Sequence, residues 1–177
     1  MKQKTILSVL LALCIALGLM AATAYAADLT TWPGLQEAIN LGGTVTLTAD
    51  VTAAAEDVPL EIPAGKSVTN LAGHTIDRGQ SLGRDSIESL AAIHVSGTLN
   101  LRDSAGSGKI VGGFTDDGYK GFGVVNEGVF TVSGGTVEGG NDYTAVENMR
   151  TGTLTVSGGT INHILNRGEF TCPAVPG

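Results

Sequence analysis

Thiols are nearly absent from this sequence. Cys14 and Cys172 are the two cysteines among 177 residues. Cys14 lies inside an apolar N-terminal run, so the remainder of the chain has no internal disulfide partner and must rely on packing. Cations are also short: ten Lys and Arg against seventeen Asp and Glu give a net charge of −7, which repels a phosphate backbone and excludes a basic nucleic-acid module. Past residue 26 no apolar stretch is long enough to span a bilayer. The three histidines, His74, His94 and His163, are scattered and lack the paired spacing of a zinc site. Glycine, by contrast, is abundant at 26 residues, and threonine is frequent. That composition weakens helices and favours short strands joined by tight turns, so an all-β protein of one domain is expected.

The chain opens with Met1-Lys2-Gln3-Lys4, continues with an almost unbroken apolar run from Thr5 to Met20, and reaches Ala24-Tyr25-Ala26. A cationic start, an apolar middle and a small-residue end describe a signal peptide over residues 1–26, with the mature chain beginning near Ala27. Cys14 sits mid-run, with Ile15-Ala16-Leu17 after it, so it is not placed for lipidation. The protein is therefore expected to be secreted or held at the cell surface.

A repeat organises the chain beyond this leader. Gly97-Thr98-Leu99-Asn100-Leu101, Gly128-Val129-Phe130-Thr131-Val132, Gly152-Thr153-Leu154-Thr155-Val156 and Gly168-Glu169-Phe170-Thr171-Cys172 align, with Gly43-Thr44-Val45-Thr46-Leu47 as an earlier relative. The unit is roughly 16 to 24 residues with insertions, the range of solenoid repeats. Within each line the period is two, so Leu99, Phe130, Leu154 and Phe170 face inward with Leu101, Val132, Val156 and Cys172, the last as a buried core thiol. Strands this short gain their hydrogen bonds only when the equivalent strand of the next unit lies parallel beside them. Ser-Gly-Gly after Val132 and Val156 supplies a corner before second strands at Thr136-Val137 and Thr160-Ile161. The matching segment of the unit that starts at Gly97 is Lys109-Ile110-Val111, reached through a longer corner at 103–108. Ile110, Val137 and Ile161 form another inward column. Asn126, Asn148 and Asn166, just before the strand glycines, read as a structural ladder at a repeated bend.

The runs Thr31-Trp32-Pro33-Gly34-Leu35-Gln36-Glu37-Ala38-Ile39, Gly42-Gly43-Thr44-Val45-Thr46-Leu47-Thr48, Ile62-Pro63-Ala64-Gly65-Lys66-Ser67-Val68-Thr69 and Ala72-Gly73-His74-Thr75-Ile76 resemble the opening of pectate-lyase-like domains of exported, adhesin-like bacterial surface proteins. The resemblance covers essentially all of residues 27–177. It implies a single-stranded right-handed parallel β-helix with an N-terminal capping helix within about 28–42. Trp32, Leu35, Ala38 and Ile39 lie on one face of such a helix, and Gly42-Gly43 ends it. It also implies that His74 belongs to the scaffold. His94 is expected outward and solvated, and His163 at a corner. The last coil begins at Asn166 and is stopped by residues 173–177 without a cap, so the C-terminal end is expected to be incomplete and to self-associate through its open edge.

Function is expected in the loops. Two insertions follow a Gly-Gly at the same repeat position: 114–121 and 141–143. Asp116, Asp117, Tyr119 and Lys120 from the first, with Asp142 and Tyr143 from the second, combine oxygen ligands suited to Ca²⁺ with flat faces for a sugar ring. The expected partner is a polysaccharide or a surface protein of a host or neighbouring cell, bound by a structural module with no resident cofactor and no catalytic residue assigned. The enzymatic alternative implied by the resemblance is a polysaccharide lyase or glycoside hydrolase. Its candidate groups are Lys120 beside Asp116 and Asp117, or Arg150 and Arg167 near Glu127, the last three also reading as an outward charge ladder. Outward threonines at 44, 46, 48, 98, 153 and 155 suggest an ice-binding face, which Val129 and Glu169 interrupt.

Overall fold

The structure, a computed structural model, describes residues 27–65, 67–81 and 88–173. The expected leader at 1–26 and the segment 174–177 lie outside the described residues. Among the described residues one α-helix, α1 (Trp32–Leu41), precedes fourteen strands. They are β1 (Val45–Thr46), β2 (Val51–Thr52), β3 (Leu60–Ile62), β4 (Ser67–Asn70), β5 (Thr75–Asp77), β6 (Ile93–Val95), β7 (Thr98–Arg102), β8 (Lys109–Val111), β9 (Val124–Asn126), β10 (Val129–Glu138), β11 (Val146–Asn148), β12 (Thr153–Ile161), β13 (Ile164–Asn166) and β14 (Glu169–Thr171). Among these named strands every pairing is parallel.

One sheet runs β1-β4-β7-β10-β8-β5-β2, with β12 and then β14 continuing from β10. It is curled, because β10 pairs through its first half with β7 and through its second half with β8. The other sheet runs β13-β11-β9-β6-β3. Each strand sits beside its counterpart from the neighbouring repeat, so equivalent residues come into register at the ordinary strand spacing of about 4.8 Å. Phe130 pairs with Leu99 and Leu154, Leu154 with Phe170, and Val132 with Leu101 and Val156. Val137 lies between Ile110 and Ile161. A third apolar column, Leu60, Ile93, Val124, Val146 and Ile164, comes from the second sheet. Most of these side chains are fully buried in one cluster, each worth roughly 1.5–3 kcal/mol of transfer free energy.

The strands of the second sheet correct the sequence reading. Asn126, Asn148 and Asn166, expected at a bend, are the last residues of β9, β11 and β13. Their ladder role holds: Asn126 Nδ2 donates to Asn148 Oδ1 at 2.7 Å, and Asn148 Nδ2 donates to Asn166 Oδ1 at 2.7 Å and to the Glu169 carbonyl at 2.8 Å. Both Asn126 and Asn148 are fully buried. Deleting the Asn148 amide would strand these partners, at roughly 1–3 kcal/mol for each buried group left unsatisfied. The column stops at Val95, which pairs with Asn126, and Asn126 Oδ1 is left without a hydrogen-bond partner.

The glycines that mark the repeat answer to close approach. A Cβ on Gly128 would lie 2.1 Å from the Gly97 carbonyl oxygen, and one on Gly168 would lie 2.3 Å from that of Gly152. The Ser-Gly-Gly corners differ from expectation in being continuous: β10 and β12 run through them. Gly135 at φ +82° and Gly159 at φ +75° take the bend, and the register shifts there. Ser133 Oγ donates to the Leu101 carbonyl at 3.0 Å and ties that corner to the preceding repeat.

At the other end α1 covers the first strands. Thr31 caps its start by accepting from the Gly34 amide at 3.2 Å, and Gly42 ends it at φ +79°. Trp32, Leu35 and Ile39 are buried, and Trp32 Nε1 donates to the Val58 carbonyl at 2.8 Å. Gln36 closes the edge of β3: its Nε2 donates to the Glu61 carbonyl at 3.0 Å and its Oε1 accepts from the Glu61 amide at 2.7 Å. The side-chain amide thus occupies the backbone groups that a further strand would use.

At the C-terminal edge Phe170 is 44% exposed and Cys172 is exposed, not a core thiol. Cys172 follows β14, the outermost strand of its sheet, and no described strand lies over it.

The corner between β7 and β8 is held by Asp103, whose carboxylate accepts from the amides of Gly108 at 2.6 Å, Gly73 at 2.7 Å and Ala105 at 3.2 Å. Desolvation pushes this carboxyl up, and the bonds from Gly108, Gly73, Ala105 and Gly106 outweigh it, leaving it below the ordinary carboxylate range. A depressed carboxyl stabilises the fold above its unfolded value, near pH 4, and loses that contribution as pH falls through the folded value. Asp103→Asn is therefore expected to unfold at lower temperature than the parent at pH 7, with the gap closing in acid. Thermal denaturation from pH 7 to pH 2 checks this, and a gap independent of pH would contradict it.

Candidate functional site

The structure brings the two expected loops together. Residues 114–120 form a small hairpin closed by the antiparallel bridge between Phe114 and Lys120. Buried Thr115 organises it: its hydroxyl donates to Asp117 Oδ1 and accepts from the Tyr119 amide at 3.1 Å. Asp116, Asp117, Tyr119 and Asp142 are exposed, whereas Lys120 and Tyr143 are half-buried. Lys120 reaches across, its Nζ donating to the Asn141 carbonyl at 2.7 Å.

The second loop is a single 3₁₀ turn, Gly140–Asp142. Asn141 at φ +47° and Asp142 at φ +62° hold left-handed conformations without glycine, a region that costs most L residues roughly 1–2 kcal/mol and that Asn and Asp tolerate best. The turn is pressed against the preceding loop, since a Cβ on Gly140 would fall 1.9 Å from the Gly113 carbonyl oxygen. Tyr143 packs inward on Phe122, ring centroids 5.4 Å apart and tilted by 50°. It is half-buried in that contact, where the sequence suggested a flat face for a sugar ring. Among the described residues no three His, Cys, Asp or Glu groups are placed to share a metal ion.

A second constellation, which the sequence reading missed, lies on the outer face of the β3-β6-β9-β11-β13 sheet. The middle residues of these strands, Glu61, His94, Val125, Glu147 and Leu165, form one column by register. The residues just after four of the strands, Ser96, Glu127, Met149 and Arg167, run alongside. His94 is not simply solvated: its Nδ1 lies 3.3 Å from Glu61 Oε1 and its Nε2 lies 2.9 Å from the Glu88 carbonyl. Both neighbours are oxygen acceptors, so the ring is held between two acceptors.

Glu147 is only 3% exposed and pairs with Arg167 at 3.1 Å, which corrects the expected ladder of Arg150 and Arg167 with Glu127. Register places the Arg167 side chain diagonally over the strand-centre residue of the preceding repeat. Burial pushes the Glu147 carboxyl up, Arg167 pulls it back and Glu88 adds to the rise, leaving it above the ordinary range. Between the columns a cleft of about 130 Å³ is lined by Glu88, His94, Val95, Ser96, Val125, Glu127 and Met149.

The remaining histidines are peripheral: His74 Nδ1 sits 3.3 Å from Asp50 Oδ1, and His163 is exposed. Arg78 is the largest fully buried side chain among the described residues. It donates to the Asp57 carbonyl, while its Nε and Nη1 lack hydrogen-bond partners, and desolvation lowers its proton affinity against the pull of Asp57.

A carboxyl raised by folding favours the native state below its unfolded value and loses that contribution as pH rises through the folded value. Glu147→Gln is therefore expected to gain stability relative to the parent as pH climbs from 4 to 7, because Arg167 is half-exposed and solvates readily when unpaired. Chemical denaturation at the two pH values reads the difference, and a relative loss at pH 7 would contradict it. Comparisons with protein-family models, curated proteins and solved structures find no match to this chain, and its own geometry is what defines the site.

Proposed function

We propose that this chain is an exported interaction module, secreted or displayed at the cell surface. In this reading its parallel sheets wind as a right-handed β-helix of the pectate-lyase-like, adhesin-like kind, and it acts by binding rather than by catalysis. The observation that carries the reading is the hydrogen bond from Lys120 to the Asn141 carbonyl, which joins the loop bearing exposed Asp116, Asp117 and Tyr119 to the loop bearing exposed Asp142. Binding residues on loops fixed by a regular scaffold are the common arrangement for recognition. Acidic and hydroxyl-bearing side chains suit the hydroxyls of a polysaccharide, directly or through Ca²⁺.

The test is glycan-array binding with and without Ca²⁺, followed by ultraviolet monitoring of acidic polysaccharides for unsaturated products. Binding without turnover is expected, and the double variant Asp116→Ala/Asp142→Ala is expected to weaken it by about 10-fold, or 1.4 kcal/mol. Release of unsaturated sugars would favour a lyase, and unchanged binding by the double variant would remove the loops from the site.

Self-association is part of the same reading. The edge formed by β13 and β14 exposes Phe170 and Leu165, and among the described residues no strand pairs with its outer side. Sedimentation equilibrium is expected to show concentration-dependent association that Phe170→Glu abolishes, whereas a monomer at all concentrations would refute it.

A further inference from the structure

Aspartate followed by glycine occurs once in this chain, at Asp117-Gly118, and asparagine followed by glycine does not occur. Glycine has no side chain to shield its own amide nitrogen, so an aspartyl carboxyl is most readily attacked by the following backbone nitrogen when that nitrogen belongs to glycine. Every other described aspartate precedes a residue that carries a side chain. The structure sets the pair in the 114–120 hairpin, where both residues are exposed. Gly118 has φ +90°, and a Cβ built on it would meet nothing within 4 Å, so that position lies in open space.

One residue, Thr115, holds both reacting groups. Its hydroxyl donates to Asp117 Oδ1, and its carbonyl accepts from the Gly118 amide at 3.0 Å. Thr115 is itself fixed, because it is buried and its amide donates to the Tyr119 carbonyl at 3.0 Å. Before the Gly118 nitrogen bonds to the Asp117 side chain, the carboxyl must leave the Thr115 hydroxyl and the amide must leave the Thr115 carbonyl. Two hydrogen bonds, one of them to a charged acceptor, therefore stand against the reaction while the hairpin is closed.

We propose that Asp117-Gly118 is a self-modification site, converted to isoaspartate with water as the only co-reactant, and that Thr115 is the positioning residue that sets its rate. The Gly118 nitrogen forms a bond to Asp117 Cγ and gives up its proton, the protonated carboxyl gives up its OH, and the two depart as water. The product is a cyclic succinimide, and nothing is oxidised or reduced. Addition of water at Cγ breaks the new bond and restores aspartate. Addition at the Asp117 main-chain carbonyl breaks the original peptide bond instead, so the chain continues through the side chain and leaves a free α-carboxylate. The backbone has then gained a methylene inside the hairpin, which upsets the register of Thr115 with Tyr119 and carries Lys120 away from the Asn141 carbonyl. The inference rests on the chemistry of the hairpin and not on the glycan reading, whose failure would leave it untouched.

The experiment is prolonged incubation of the whole protein in neutral buffer, followed by peptide mapping in which isoaspartate, equal in mass to aspartate, is resolved by elution and located by electron-transfer fragmentation. The succinimide is read in the same maps as a peptide lighter by one water. Conversion confined to Asp117 is expected. Thr115→Val, which removes the hydroxyl and keeps the carbonyl, should convert about 10-fold faster, the effect of losing one hydrogen bond to a charged group. Thr115→Ser keeps the hydroxyl and should convert at close to the parent rate, whereas a role of Thr115 in packing alone would make serine as fast as valine. The parent in denaturant, where neither hydrogen bond exists, supplies the same contrast without a substitution and should convert faster than the native protein. Isoaspartate at other aspartates and not at Asp117, equal rates for native and denatured parent, a parent-like rate for Thr115→Val, or equal rates for the serine and valine variants would each overturn the proposal.

Discussion

Parallel pairing between short, equivalent strands is the constraint on which everything else in this molecule depends. A strand of three residues such as β9 or β11 has too few hydrogen bonds to persist alone, and its amides and carbonyls are satisfied only by the counterparts on either side. Register follows from that requirement. Once Val124 is opposite Val146 and Phe130 opposite Leu154, like side chains superpose, the inward ones fuse into one apolar core, and buried polar side chains that repeat can satisfy one another. Asn126 and Asn148 show this: each amide donates to the next, and the column as a whole shoulders a desolvation that a single buried Asn would not withstand.

The same constraint makes the two ends of the sheet the places where chemistry must intervene. At the first strands α1 lays Trp32, Leu35 and Ile39 over the core, and Gln36 mimics a strand by exchanging both hydrogen bonds with Glu61. At the far edge, β13 and β14 carry exposed Leu165 and Phe170. The contrast explains why two positions with the same alternating pattern, Phe130 and Phe170, differ so widely in exposure: among the described residues one has a neighbouring strand on each side and the other on one.

Outward positions obey the same register but with freer composition, and there the molecule differentiates. Along the outer face of the second sheet, Glu61, His94, Val125, Glu147 and Leu165 are stacked neighbours, and the residues after the strands form a parallel row. A carboxylate becomes buried and paired, as Glu147 is by Arg167, or left at the rim of a cleft, as Glu127 is, according to which residue the next repeat contributes. Loops inserted at one repeat position meet for the same reason, which is how Lys120 reaches Asn141.

The sequence by itself determined which residues of the Gly97, Gly128 and Gly152 lines face inward, whereas Phe170 and Cys172 of the Gly168 line, expected inward, are exposed. A period of two fixes the faces of a strand, and only glycine fits where a Cβ would strike the neighbouring backbone. The helix α1, its faces and its stop were legible for the same local reason, as was the adjacency of the two loops. The β9, β11 and β13 strands were not, because three residues ending in Asn carry too little alternation to separate a strand from a bend. Tertiary structure alone decided what meets on the outside: that Arg167 covers Glu147 and not Glu127, that His94 is held between two acceptors, and that Tyr143 turns in on Phe122. Such contacts join residues from different repeats, and their offset depends on how each intervening loop returns the chain to the sheet, a distance that local pattern does not encode.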